Sequence, residues 1–261
     1  MQDFIAVLDF GSQYAHLIAK RIRHLGAYTK IFSPSAKESF LQDAKGIVLS
    51  GGPASVYSTD IPKFNSNILN LDLPILGLCY GHQLIAKEFG GAIANTGKGE
   101  FGKAILQQTS DFPLWQNVSF PNQVWMSHQD SVTKCPPDFE VTGVTESGNV
   151  AAMRHRKRRI YTLQFHPEVN DTEQGQKMLD NFINTCEICS KWSMETFIKE
   201  TTERLQQEVG ERKVLMFISG GVDSSVAFAL LDRVLGRDQM LGLYIDNGFM
   251  RKDESAEIIE R

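Results

Sequence analysis

The stretch LPILGLCYGHQL, residues 73–84, changes its periodicity abruptly. Pro74 to Leu78 is an apolar run of strand length, whereas Tyr80 to Phe89 places Leu84, Ile85 and Phe89 at helical spacing. Cys79 therefore falls on the turn from a buried strand into a helix. Gly77 and Gly81 flank it in the pattern of a nucleophile elbow, G-x-nucleophile-x-G, with cysteine in place of serine. Glycine suits both positions, because the turn is tight and a helix crossing close to its strand leaves no room for side chains. The new helix turns free N–H groups toward the thiol, and that partial positive charge favours the reactive thiolate. A buried cysteine that merely packs is the competing reading, and a partner base decides between them.

Further short apolar runs surround this unit. Phe4 to Phe10, Tyr28 to Phe32 and Gly46 to Ser50 read as strands, and Ser12 to Leu25 as a helix with Ala15, Ile18, Ile22 and Leu25 on one face. Apolar strands separated by helical patterns predict a mainly parallel α/β sheet covered on both faces. After Gly91 the texture turns β-rich, with strands expected at Lys103 to Gln107, Val141 to Val144, Val150 to Arg154 and Ile160 to Phe165. These extend the sheet in antiparallel fashion. Glu173 to Thr185 reads as a helix, and a boundary near residue 192 separates residues 1–192 from 193–261. There Ser193 caps a new helix, and strand Lys213 to Ser219, helix Asp223 to Leu235 and strand Met240 to Ile245 begin a second α/β unit.

A formal net charge of -4 gives no footing for nucleic-acid or membrane-surface binding. No segment approaches the roughly 20 apolar residues of a membrane span, and the opening MQDFIAVLDFG reads as a strand rather than a signal peptide. A cytoplasmic, reducing setting is expected, with Cys79, Cys135, Cys186 and Cys189 as free thiols. Cys186 and Cys189 offer two ligands where structural zinc takes four, and they follow a helix instead of opening one, so packing is their expected role. The basic run RHRKRR, Arg154 to Arg159, lies between two strands and reads as a solvated hairpin turn.

A cysteine nucleophile needs a base and a group that orients the base. Gln164-Phe165-His166-Pro167-Glu168 ends an apolar run, and positions two apart in an extended chain face the same side. His166 and Glu168 are thus expected to point together into one site, with the carboxylate fixing the imidazole tautomer. GLCYGHQ, QFHPE and SGGP (Ser50 to Pro53) together resemble the class I, triad-type glutamine amidotransferases. That resemblance implies Cys79 as nucleophile, His166 as acid-base and Glu168 as its orienting partner. It further implies an oxyanion hole from the N–H groups of Gly52 and Tyr80, and glutamine binding by Gln83 and by Ser127, His128, Gln129 and Asp130.

The second unit carries Ser219-Gly220-Gly221-Val222-Asp223-Ser224-Ser225 between a strand and a helix. Such a loop lets backbone N–H groups approach an anion, and it lacks the Gly-Lys-Ser/Thr ending of a Walker loop. It resembles the pyrophosphate loop of the N-type ATP pyrophosphatases, which implies ATP binding by residues 219–225 and a magnesium contact at Asp223. The two motifs in tandem, with VLDFGSQYAHLIAKRIR and IDNGFMRKDE (residues 245–254), resemble the glutamine-hydrolysing GMP synthetase family. Glutamine, ATP and XMP as substrates, and a homodimeric full-length enzyme, are what that resemblance implies. Residues 193–261 suffice only for the first strands of such a synthetase domain, so a truncated chain is expected. The alternatives are the glutaminase component of another amidotransferase, which leaves residues 219–225 unexplained, and a non-catalytic nucleotide- or glutamine-binding regulator.

Overall fold

The computed structural model describes residues 3–260 except 54, 59–61, 96, 98, 190, 247, 250 and 252. The IDNGFMRKDE stretch thus falls partly outside the described residues. Two compact units emerge, Met1–Trp192 and Ser193–Arg261. In the first, the chain runs through β1 (Phe4–Leu8), α1 (Ala15–His24), β2 (Thr29–Phe32), β3 (Ala44–Leu49), β4 (Ile75–Leu78) and α2 (Tyr80–Glu88). It continues through β5 (Ala92–Ala94), β6 (Glu100–Gln108), β7 (Asn122–His128), β8 (Ser131–Lys134), β9 (Phe139–Thr145), β10 (Val150–His155), β11 (Ile160–Leu163) and α3 (Gly175–Thr185).

A nine-stranded sheet has the order β2-β1-β3-β4-β11-β10-β9-β6-β7. Strands β2 to β11 in that order pair in parallel, and the remainder pair antiparallel. Strands β5 and β8 form a separate two-stranded ribbon. Within β1, Ile5 and Val7 pack with Ile18, Ile22, Leu179 and Phe182 of α1 and α3, while Phe4, Ala6 and Leu8 pack with Leu84 and Ile85 of α2. The continuous apolar strands follow from this double covering, since successive side chains enter opposite cores.

Helix α2 lies close on the sheet. A Cβ on Gly77 would sit 2.6 Å from the Gly81 carbonyl oxygen, and one on Gly81 would sit 2.5 Å from that of Leu49. His82 is fully buried, and its Nδ1 lies 2.9 Å from Thr162 Oγ1, tying α2 to β11. Gly81→Ala should therefore lower stability by about 3 kcal/mol, at the upper end of overpacking costs, because the obstacle is backbone and cannot rotate away. Urea unfolding of the variant checks this; a midpoint equal to the wild type's would mean that α2 can slide on the sheet.

The basic run lies at the β10–β11 hairpin as expected, but it begins within β10 and most of its charges are tied to partners instead of standing solvated. Arg154 and Arg156 both pair with Glu140, Arg158 donates to the Leu69 carbonyl, and Arg159 pairs with Glu187. The described cysteines are free, Cys186 buried and Cys189 exposed.

The second unit comprises α4 (Met194–Val209), β12 (Val214–Ile218), α5 (Val222–Leu235), β13 (Met240–Tyr244) and α6 (Glu254–Glu260), with β12 and β13 parallel. Ser193 caps α4, its hydroxyl accepting from the Thr196 N–H at 3.1 Å. Among the described residues no helix is long and apolar enough to cross a membrane.

Candidate active site

Strands β4 and β11 are neighbours in register, with Leu78 opposite Leu163, so the residues that follow them emerge side by side. The Cys79 N–H donates to the Leu163 carbonyl at 2.8 Å, extending the ladder by one bond before α2 begins. Cys79 has a φ of 51°, which a non-glycine residue adopts only when its surroundings hold it there. The thiol donates to the Ser127 carbonyl at 3.6 Å, and the His166 ring stands close by: a Cβ on Gly51 would meet both His166 Cε1, at 3.3 Å, and Cys79 Cβ, at 3.7 Å.

His166 Nδ1 lies 2.7 Å from Glu168 Oε1, and both side chains are buried. Desolvation would lower the His166 pKa, but the Glu168 charge and the hydrogen bonds to Cys79 and Glu168 prevail and hold it well above the usual histidine value. Glu168 Oε2 is buried with no hydrogen-bond partner among the described residues, which leaves His166 as the near counter-charge for this carboxylate. The pairing does not come from strand extension, as the sequence suggests: β11 ends at Leu163, and a turn carries both residues. That turn is fastened by the His166 N–H to the Trp125 carbonyl at 3.0 Å and by the Thr172 hydroxyl to the His166 carbonyl at 2.6 Å. Arg21 of α1 donates to the Glu168 carbonyl at 2.9 Å.

In front of Cys79 opens a cavity of about 520 Å³, lined by Gly52, Tyr80 and Gln83 on one side and by Ser127, His128, Gln129 and Asp130 on the other. The structure therefore brings together every first-unit position expected from sequence. Gln83 is already engaged by the protein, its Nε2 donating to the Asp130 carbonyl at 2.7 Å and to Gln164 Oε1 at 3.2 Å. Its side-chain amide joins α2 to the turn after β7.

Tyr14 is a site residue that sequence reading passes over. Its ring centroid lies 4.8 Å from that of His166, at an interplanar angle of 52°. The signal was positional: Gly11 to Tyr14, Ser50 to Pro53, Cys79 and His166 all follow parallel strands, and loops at those carboxyl ends converge on one crevice.

In the second unit, Ser219 to Gly221 connect β12 to α5, and Val222 to Ser225 form the first turn of α5. Gly220 has a φ of +81°. Ser224 Oγ accepts from the Ser219 N–H at 3.3 Å and donates to the Gly221 carbonyl at 3.1 Å, which braces the loop from within. Asp223 stands in the first turn of α5. Among the described residues no group of three or more His, Cys, Asp or Glu side chains is placed to hold a metal ion.

Comparison with known proteins places this geometry. The family described as glutamine amidotransferase class-I matches residues 6–186, and NAD synthase matches residues 193–259. The chain belongs to the class-I glutamine amidotransferases. It is 46% identical over 257 residues to the "Probable GMP synthase [glutamine-hydrolyzing]" of Leptospira interrogans, which covers 97% of this chain and 43% of that protein. It is 44% identical over 263 residues to the GMP synthase of Staphylococcus aureus, covering 100% of this chain and 51% of that protein. The chain spans about half the length of the curated relatives it matches. The crystal structure of a glutamine amidotransferase from Thermotoga maritima shares the fold, with a TM-score of 0.54 at 19% identity over 90% of this chain and 99% of that one.

Proposed function

We propose that this chain carries the glutaminase half, and the opening of the nucleotide-activating half, of a glutamine-hydrolysing GMP synthase. The observation that carries the reading is the alignment of Cys79, His166 and Glu168 beside a cavity of about 520 Å³, room enough for glutamine. Cys79 sulfur attacks the glutamine side-chain carbonyl carbon, and His166 holds the thiol proton. The N–H groups of Gly52 and Tyr80 receive the oxyanion of the tetrahedral intermediate. His166 then protonates the departing nitrogen, releasing ammonia and leaving a γ-glutamyl thioester on Cys79. Water, deprotonated by His166, cleaves the thioester to glutamate and restores the thiol. Gln83 helps to hold the substrate glutamine, and residues Ser127 to Asp130 receive its amino-acid end.

The second unit supports the choice of acceptor. Residues 219–225 combine a helix N-terminus, glycines and serine hydroxyls, a donor set that fits the pyrophosphate of ATP. Asp223 would supply one carboxylate toward Mg2+, which neutralises phosphate charge and commonly takes its other ligands from phosphates and water. ATP adenylates the XMP base oxygen with loss of pyrophosphate, and ammonia then displaces AMP to give GMP. The match of residues 193–259 to NAD synthase favours, as a second reading, a different adenylated acceptor. A cytoplasmic location and a homodimeric full-length enzyme complete the proposal.

Two measurements test it. A glutamine-shaped electrophile should add once per chain by intact mass, with free glutamine protecting; no adduct on the folded chain overturns the glutaminase reading. The full-length cellular protein should convert XMP, ATP and glutamine into GMP, and glutamine hydrolysis without XMP amination would favour the second reading. Asp223→Asn should weaken ATP binding by about tenfold, the loss of one charged contact, as read by titration calorimetry with Mg2+ present.

A further inference from the structure

Glu100 and His128 lie directly opposite one another on the β6–β7 ladder, and His128 lines the cavity. His128 Nε2 is 3.2 Å from Glu100 Oε2, and His128 Nδ1 is 2.9 Å from the Asp130 carbonyl. Both ring nitrogens thus face acceptors, the Glu100 carboxylate on one side and the Asp130 carbonyl on the other, and the ring spans the two. The His128 side chain is 1% exposed. Of the groups that face His128, buried His82 is pushed down to about 3, by desolvation first and then by that neighbour, so it is neutral near pH 7.

Glu100 is fastened on its other side as well. Its Oε1 accepts from Ser147 Oγ at 2.5 Å, and Ser147 in turn meets Thr145 Oγ1 at 2.8 Å and Asn149 Nδ2 at 3.2 Å. Burial would raise the Glu100 pKa, but these bonds and His128 outweigh it and bring it down to about 2. The carboxylate therefore joins β6, the end of β7 and the β9–β10 turn. The Asp130 carbonyl that receives His128 also receives Gln83.

We propose that Glu100 is a positioning residue of the glutamine site: through His128 it sets the Asp130 carbonyl against Gln83, and so fixes the wall of the cavity that faces Cys79. This rests on the reading that the cavity takes glutamine. Glu100 touches the pocket only through its neighbour, so its removal should weaken substrate capture while leaving the elbow and relay reactive.

The test is saturable inactivation of the full chain by a glutamine-derived chloroketone, resolving the half-saturating concentration from the limiting rate. Iodoacetamide, which needs an activated thiol but no glutamine pocket, runs in parallel. Glu100→Ala should raise the half-saturating concentration about tenfold, as expected for a lost charge-assisted bond. Its limiting rate and iodoacetamide rate should stay within about threefold of wild type. Glu100→Gln, which keeps an acceptor for His128, should restore most of the loss. Ser147→Ala, a milder trim of the same clamp, should raise the half-saturating concentration about threefold and covers the case in which Glu100→Ala does not fold. Unchanged half-saturation in the folded variants, or an equal fall in iodoacetamide reactivity, overturns the positioning role. Wild-type inactivation that is neither saturable nor blocked by glutamine overturns the glutamine reading beneath it.

Discussion

Cys79→Ala removes all glutamine-protected labelling and lowers glutamine hydrolysis by about 10⁴-fold or more, the scale on which loss of a covalent nucleophile is felt. The expectation is steep because the rest of the site is arranged around one sulfur. The relay through His166 to Glu168 serves the Cys79 sulfur, and the backbone at Cys79 is held at a φ of 51°. The variant should fold as the wild type does, since alanine occupies the same position with less volume and the bond lost to the Ser127 carbonyl is a long sulfur contact of 3.6 Å. A folded Cys79→Ala chain that still acquires the adduct would move the chemistry to another thiol. Cys135, half-buried and pushed up by desolvation, and Cys186, buried and pushed up to about 12, are poor candidates because the thiolate is the reacting form.

Local pattern made half of this site legible. The strand-to-helix change at Cys79 lies within a few residues, so it could be read without knowing any partner, and the close approach of α2 bears out the need for glycine at 77 and 81. What local pattern does not contain is pairing order. Strand β11 enters the sheet beside β4 although most of the antiparallel extension separates them in sequence, and that insertion alone brings His166 to Cys79. His166 could be singled out only because a carboxylate followed it two residues later. Tyr14 and Glu100 carried no such tag. Glu100 sits in the polar stretch GKGEFGK, where a lone carboxylate reads as a solvated charge, and its meaning depends on the residue across the ladder. Strand β7 is not among the strands expected from sequence although its positions alternate, with Asn122, Val124, Met126 and His128 buried in turn: polar Asn122 and His128 sit at buried positions, so the apolar pattern is only two residues long.

Glu168→Gln should lower glutamine hydrolysis by about 10²- to 10⁴-fold, the range expected when the group behind a catalytic histidine keeps its shape and loses its charge. The loss should remain smaller than that of Cys79→Ala, because nucleophile and oxyanion donors persist. The physical route is the imidazole. In the wild type the Glu168 charge and the hydrogen bonds overcome desolvation and raise the His166 pKa well above 6.5. With a neutral amide at 168 the desolvation remains and the opposing charge is gone, so His166 gives up its proton at lower pH. Nuclear magnetic resonance of the imidazole C–H protons reads that shift directly. The sign carries over to stability: a group whose folded pKa is raised stabilises fully below its unfolded value, near 6.5, and ceases to do so as pH rises through the folded value. Wild-type thermal stability should therefore carry a component that fades above pH 6.5, and the variant should lack it. Equal pH profiles for the two proteins would mean that Glu168 does not hold the His166 charge, whereas activity of Glu168→Gln as low as that of Cys79→Ala would mean that Glu168 does more than orient and charge His166.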